Sequence, residues 1–185
     1  MMIPIIFLYF LRFCQGNLPE VKYVVNLDSQ MEICEDDVSA GFVDTSLVTV
    51  ERFNETVAYM YGDIIFLKDF SANTMISVVL MKEASGKFEV MFSHEICDMC
   101  SEIEKAGESD YYPYMKFFGL PDTCPFGSDK YQIKDMVVDT DDLPVNSNTV
   151  GRYKALLSFY DNPEKDCNTK SLMACLTLYF IIEAD

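Results

Sequence analysis

The sequence has no tryptophan and a single histidine among its 185 residues. One histidine serves at most one acid–base site. His94 stands at a predicted strand end beside Glu95, where a surface histidine is expected rather than a triad member. No G-x-S-x-G elbow, P-loop or H-E-x-x-H occurs, so none of the common hydrolase, nucleotide or zinc-protease chemistries has its residues in place. The acidic run Asp139-Thr140-Asp141-Asp142 lacks the glycine and closing glutamate of a calcium loop, and is expected to be a solvated turn. Basic residues are scarce too: 14 Lys+Arg face 30 Asp+Glu, a formal net charge of −16. Such a surface repels nucleic acid, which is therefore excluded as a partner. It also repels anionic lipid heads at neutral pH, a repulsion that eases in an acidic compartment as carboxylates near ~4 become protonated. The expectation is a protein with no catalytic residues, metal or cofactor, at most a non-catalytic activator of a lipid hydrolase.

Apolar residues are abundant. Half of the chain is hydrophobic, with 14 Phe, 11 Tyr and 11 Met. Large rings supply most burial energy in cores and pockets alike, and Met repacks easily around irregular space. Ile3 to Phe13 is an apolar run of secretory-leader length, and Cys14 and Gly16 are small residues suited to cleavage after Gly16. Residues 1–16 are thus expected to be a signal peptide and 17–185 one secreted domain. No second run reaches the ~18 apolar residues of a membrane helix. Removal of Arg12 with the leader would take the net charge to −17. Six cysteines then remain, Cys34, Cys97, Cys100, Cys124, Cys167 and Cys175, an even number that predicts three disulfides in an oxidising compartment. A zinc reading of Cys97-Asp98-Met99-Cys100 fails because no second Cys/His pair exists at similar spacing. Asn54-Glu55-Thr56 is a sequon, and an N-glycan is expected at Asn54.

The body of the chain reads as β. Strand patterns cover Val21 to Leu27, Phe42 to Phe53, and Thr56 to Phe70 around a turn or bulge at Gly62. Thr74 to Met81 and Lys87 to Phe92 flank Ser85-Gly86 as a hairpin. Glu95 to Ala106 has helical spacing at Ile96, Met99 and Ile103. Further on, Tyr131 to Asp139 alternates with one slip, and Gly151 to Tyr160 alternates cleanly. Leu172 to Ile182 is apolar on both faces, as in a central strand. About eight short strands predict an all-β antiparallel sandwich. Between the helix and the later strands lies Tyr111-Tyr112-Pro113-Tyr114-Met115-Lys116-Phe117-Phe118. This aromatic loop either folds into the core or rims a cavity and touches a membrane surface.

From Phe118 the chain reads F-G-L-P-D-T-C-P-F-G-S-D-K-Y-Q-I. Asp141 to Pro144 then gives D-D-L-P, Gly151 to Phe159 gives G-R-Y-K-A-L-L-S-F, and Ala174 to Phe180 gives A-C-L-T-L-Y-F. These segments resemble the ganglioside activator proteins of the ML lipid-recognition superfamily, whose secreted chemosensory relatives of insect type share the pattern. Ile76 to Glu83, Ile96-Cys97-Asp98-Met99 and the sequon at Asn54 resemble further family segments. The chain departs from those activators in having six mature cysteines rather than eight and no tryptophan.

The resemblance implies a sandwich splayed into a β-cup with a hydrophobic lipid cavity. It implies a lipid ligand, a glycolipid, phospholipid or fatty-acyl molecule, with transient membrane surface contact and a lysosomal or secreted glycosidase as partner. It also implies the bridges Cys34–Cys175 and Cys97–Cys124, which leaves Cys100 with Cys167. The expected cavity wall is Phe66, Ile76, Val78, Leu80, Tyr153, Leu157 and Phe159, with Tyr112, Tyr114, Met115, Phe117 and Phe118 at the mouth. The competing expectation is a secreted chemosensory or signalling interaction protein whose cup is packed shut.

Overall fold

The computed structural model describes residues 21–36, 38–52, 58–109, 115–116, 118–137 and 145–185. The expected leader and residues Asn54, Tyr112, Tyr114 and Phe117 lie outside them. Among the described residues nine strands form two antiparallel sheets packed into a sandwich, so the fold is all-β. They are β1 (Tyr23–Leu27), β2 (Glu32–Ile33), β3 (Val43–Arg52), β4 (Ala58–Phe66), β5 (Thr74–Ala84), β6 (Lys87–Ile96), β7 (Lys130–Met136), β8 (Gly151–Asp161) and β9 (Ser171–Ala184). One short helix, α1 (Met99–Glu104), follows β6.

The larger sheet runs β1-β9-β8-β5-β6, with β2 also paired to β9. The smaller sheet runs β3-β4-β7. Apolar residues on both faces of β9 fit its place inside the large sheet, between β8 on one side and β1 and β2 on the other. At the β5–β6 turn, Ser85 and Gly86 both take positive φ (52° and 77°), as a two-residue primed turn requires. β6 runs four residues beyond the strand read from the sequence and carries a bulge: Leu80 pairs with Phe92 but Met81 pairs with Val90. The extra residue, Met91, reverses which face the following side chains occupy.

Gly62 lies within the continuous strand β4 beside a bulge, not at a turn. Against β7 the pairing shifts between Met60 and Gly62, and the extra residue falls in β7 between Ile133 and Met136, where its alternation slips. Against β3 the shift lies between Asp44 and Leu47, with the extra residue in β3. Gly62 has φ +111°, and a Cβ there would lie 2.1 Å from the Leu47 carbonyl oxygen.

The core between the sheets centres on interlocked rings. Phe70 lies 4.5 Å from both Phe66 and Phe126, and 5.3 Å from Phe42. Edge-to-face pairs of this kind add ~0.5–1.5 kcal/mol beyond area burial. The segment after β2 is pinned to β9 by a chain of hydrogen bonds. Asp36 accepts from the Ser39 hydroxyl and from the Val38 and Ser39 amides, and Ser39 Oγ accepts from the Cys175 amide. These bonds, the Ser39 hydroxyl foremost, hold the Asp36 carboxyl below its usual pKa.

Cys34, Cys97, Cys100, Cys124, Cys167 and Cys175 are all bridged. Cys34–Cys175 joins the start of the chain to β9, in agreement with the resemblance. The other two pairs correct it: Cys97 bonds Cys167 and Cys100 bonds Cys124. The reason lies in α1. Cys97, before the helix, faces the β8–β9 loop, where Asn162 donates to its carbonyl and Lys165 pairs with the neighbouring Asp98 at 2.7 Å. Cys100, in the first turn, is buried beside the core and meets the segment that carries Phe126. Asp98 caps the helix by accepting from the Ser101 amide. Burial pushes the Asp98 carboxyl up, but its bonds to Lys165 and Ser101 outweigh this and lower it.

Candidate functional site: an apolar cavity between the sheets

The inward face of the large sheet changes character along its strands. Ile76, Phe159, Ala174 and Leu176 are buried against the ring cluster. The next two rungs, Val78–Leu157 and Leu80–Ala155–Leu178, are only half-buried although their side chains face the smaller sheet. The sheets part here. The space between them holds a cavity of about 510 Å³, walled by residues including Met31, Val78, Leu80, Phe92, His94, Met136, Ala155 and Leu178. This volume is within the ~300–1,000 Å³ of ligand pockets.

A smaller space of about 100 Å³ adjoins it toward the ring cluster, lined by Ile64, Phe66, Ile76, Ile96, Met115, Leu120 and Phe159 among others. Val78, Phe118, Leu157 and Leu176 border both, so the two are successive compartments of one apolar interior. Beyond Leu80 and Ala155 the interior closes again, where Tyr153 stacks on Phe180 with centroids 5.2 Å apart and planes 7° apart.

Phe118 reaches this interior because the chain turns sharply beneath it. Gly119 adopts φ +63°, and a Cβ there would approach the Gln132 carbonyl oxygen to 2.5 Å. Only glycine lets the segment lie so close to β7. The Cys100–Cys124 bridge anchors the same segment to α1.

The structure brings together most of the expected wall. Phe66, Ile76, Val78, Leu157 and Phe159, with Met115 and Phe118, line the inner compartment, and Leu80 lines the outer one. Tyr153 is the exception: it borders neither compartment, is buried, and donates from its hydroxyl to the Thr149 carbonyl at 2.5 Å. Tyr112, Tyr114 and Phe117 lie outside the described residues. Sequence reading missed Met136, Leu176, Leu178 and, above all, His94. Expected at a strand end on the surface, His94 lies within β6, opposite Val78, and forms part of the cavity wall. The alternating pattern of β9 carried the signal for Leu176 and Leu178, masked by the equally apolar opposite face.

No family model matches the chain, and no curated protein matches it. Among the described residues no group of three His, Cys, Asp or Glu side chains is set to hold a metal ion, and no helix there is long and apolar enough to cross a membrane. What the site offers is a hydrocarbon-lined space with almost no polar chemistry in it.

Proposed function

We propose that the protein is a secreted, non-catalytic lipid-binding protein of the ML lipid-recognition type, which shelters an acyl chain between its two sheets. The observation that carries this reading is the apolar cavity of about 510 Å³ opening off a dense ring core. A domain of this composition has enough Phe, Leu and Ile to fill its centre, yet apolar side chains on two inward rungs stay half-buried. Seating a hydrocarbon tail there removes that surface from water at ~25 cal/mol per Å². The motifs from Phe118 to Phe180 support the same reading, and three disulfides suit a secretory route. In this role the protein lifts a lipid from a membrane surface, keeps its polar end at the rim, and either carries it or presents it to a glycosidase or receptor. The Asn54 glycan and cleavage after Gly16 belong to the same proposal.

Native mass spectrometry of the protein secreted from eukaryotic cells tests it. Co-purified lipid, or stoichiometric uptake from vesicles after delipidation, is the expected result. A stripped protein that takes up no acyl lipid overturns the reading. One observation favours the competing role of an interaction protein: Val90, Met91 and Phe92 are all more than half exposed on edge strand β6, and exposed apolar edges invite a partner.

A further inference from the structure

We propose that His94 is the head-group anchor of the cavity, and that the ligand is a single-chain amphiphile ending in a carboxylate, such as a free fatty acid. This rests on the lipid-binding reading and adds the chemistry that His94, the one ionisable residue among the described wall, selects.

The placement of His94 follows from the pairing of β6. Ile96, His94 and Phe92 lie opposite Ile76, Val78 and Leu80, so all three face inward. Each step covers two residues, ~7 Å along the strand. Ile96 lines the inner compartment, His94 lines the outer one, and Phe92 stands at the rim with 53% of its surface exposed. The imidazole is therefore about one step inside the rim. The Phe92 ring lies parallel to it, 6.2 Å away with planes 11° apart.

Among the described residues, every other side chain of the outer wall is hydrocarbon or thioether except Thr177. Its neighbours Leu176 and Leu178 face inward, which turns the Thr177 side chain to the opposite face, where its hydroxyl meets Cys34 Sγ at 3.3 Å. Among the described wall residues His94 is the one that can distinguish a polar ligand end from an apolar one. An imidazole N–H donates to a carboxylate more strongly than to an ester oxygen, because the acceptor is charged.

Volume sets the number of chains. If a methylene takes about the share of a water molecule, ~30 Å³, a sixteen-carbon tail needs on the order of 480 Å³. That matches one chain in the outer compartment of about 510 Å³ and leaves the inner space of about 100 Å³ for the tail's last few carbons.

The test compares palmitate, methyl palmitate and a dipalmitoyl lipid by competition against a fluorescent probe on the delipidated full-length secreted protein, with His94→Phe and His94→Gln beside it. The wild type is expected to bind palmitate on the order of tenfold tighter than the ester, the low end for a hydrogen bond to a charged group. His94→Phe should lose that preference, binding acid and ester with equal affinity, and His94→Gln should restore part of it. Equal affinity for acid and ester in the wild type, or a preference that survives in His94→Phe, overturns the anchor and leaves the lipid site standing. Tighter binding of the dipalmitoyl lipid overturns the single-chain assignment. If no lipid binds at all, the cavity reading falls and the anchor falls with it.

Discussion

Ala155 offers a direct test of whether the space between the sheets is real. It sits on β8 between Leu80 and Leu178, faces inward, and lines the outer compartment. Ala155→Phe adds six ring carbons, at most ~180 Å³ if each takes the ~30 Å³ share of a water molecule. The cavity of about 510 Å³ holds this without displacing backbone. In a closed core the same change would overpack, at a cost of ~1–3 kcal/mol. In the cavity the ring instead gains burial, at most the ~1.5–3 kcal/mol of a fully buried Phe and less here because the wall is half open. Expected is a gain of about 1 kcal/mol and a Tm rise of ~2–4 °C by calorimetry. Lipid uptake should fall at least tenfold, because a third of the volume is taken. A variant that loses 1 kcal/mol or more while its lipid uptake is unchanged would refute the reasoning, since it would mean that side chains already fill that space.

Four further expectations follow from the fold. Gly62→Ala forces a Cβ against the Leu47 carbonyl at φ +111° and should cost at least 2 kcal/mol in denaturant unfolding, on the order of one strained residue plus a steric clash. Non-reducing peptide mapping should recover Cys97 linked to Cys167 and Cys100 linked to Cys124; the swapped linkage would contradict the placement of α1. Asp36→Asn should destabilise the protein at neutral pH. Because folding lowers the Asp36 carboxyl from 3.8, its contribution is complete above that value and disappears as pH falls through the lower folded value. The gap between wild type and Asp36→Asn should therefore close as the pH falls through that lowered value, as followed by circular dichroism. Phe118→Ser, at the border of the two compartments, should weaken lipid uptake several-fold while thermal unfolding stays cooperative.

Most of the strand framework was legible in the sequence because it rests on local rules. Alternation in β5 and β8 gave Ile76, Val78, Leu157 and Phe159 their shared face, and Ser85-Gly86 fixed the hairpin that aligns β5 with β6. The two-residue strand β2 gave no periodic signal; its place depends on pairing with β9 and the Cys34–Cys175 bridge. His94 escaped for a definite reason. Phe88, Val90, Phe92 and His94 alternate as though they shared one face. The bulge at Met91 divides them, so that Phe92 and His94 face the cavity while Val90 faces away. A bulge inserts a residue without changing the period, so alternation alone cannot assign faces across it. The cysteine partners were equally hidden: Cys97 and Cys100 are three residues apart, and only the start of the helix at Met99, which leaves Cys97 before it and takes Cys100 into its first turn, decides which neighbour each one meets.

The position of β9 has a consequence for biosynthesis. β9 follows the other eight strands among the described residues, yet it lies inside the large sheet, and three earlier strands, β1, β2 and β8, pair with it. Until residues 171–184 have emerged, those earlier strands lack their neighbour and one wall of the interior is missing. A nascent chain in that state exposes unpaired edges and greasy surface together. A chain that stops before β9 should then yield aggregated material retained by chaperones, rather than a smaller version of the same domain.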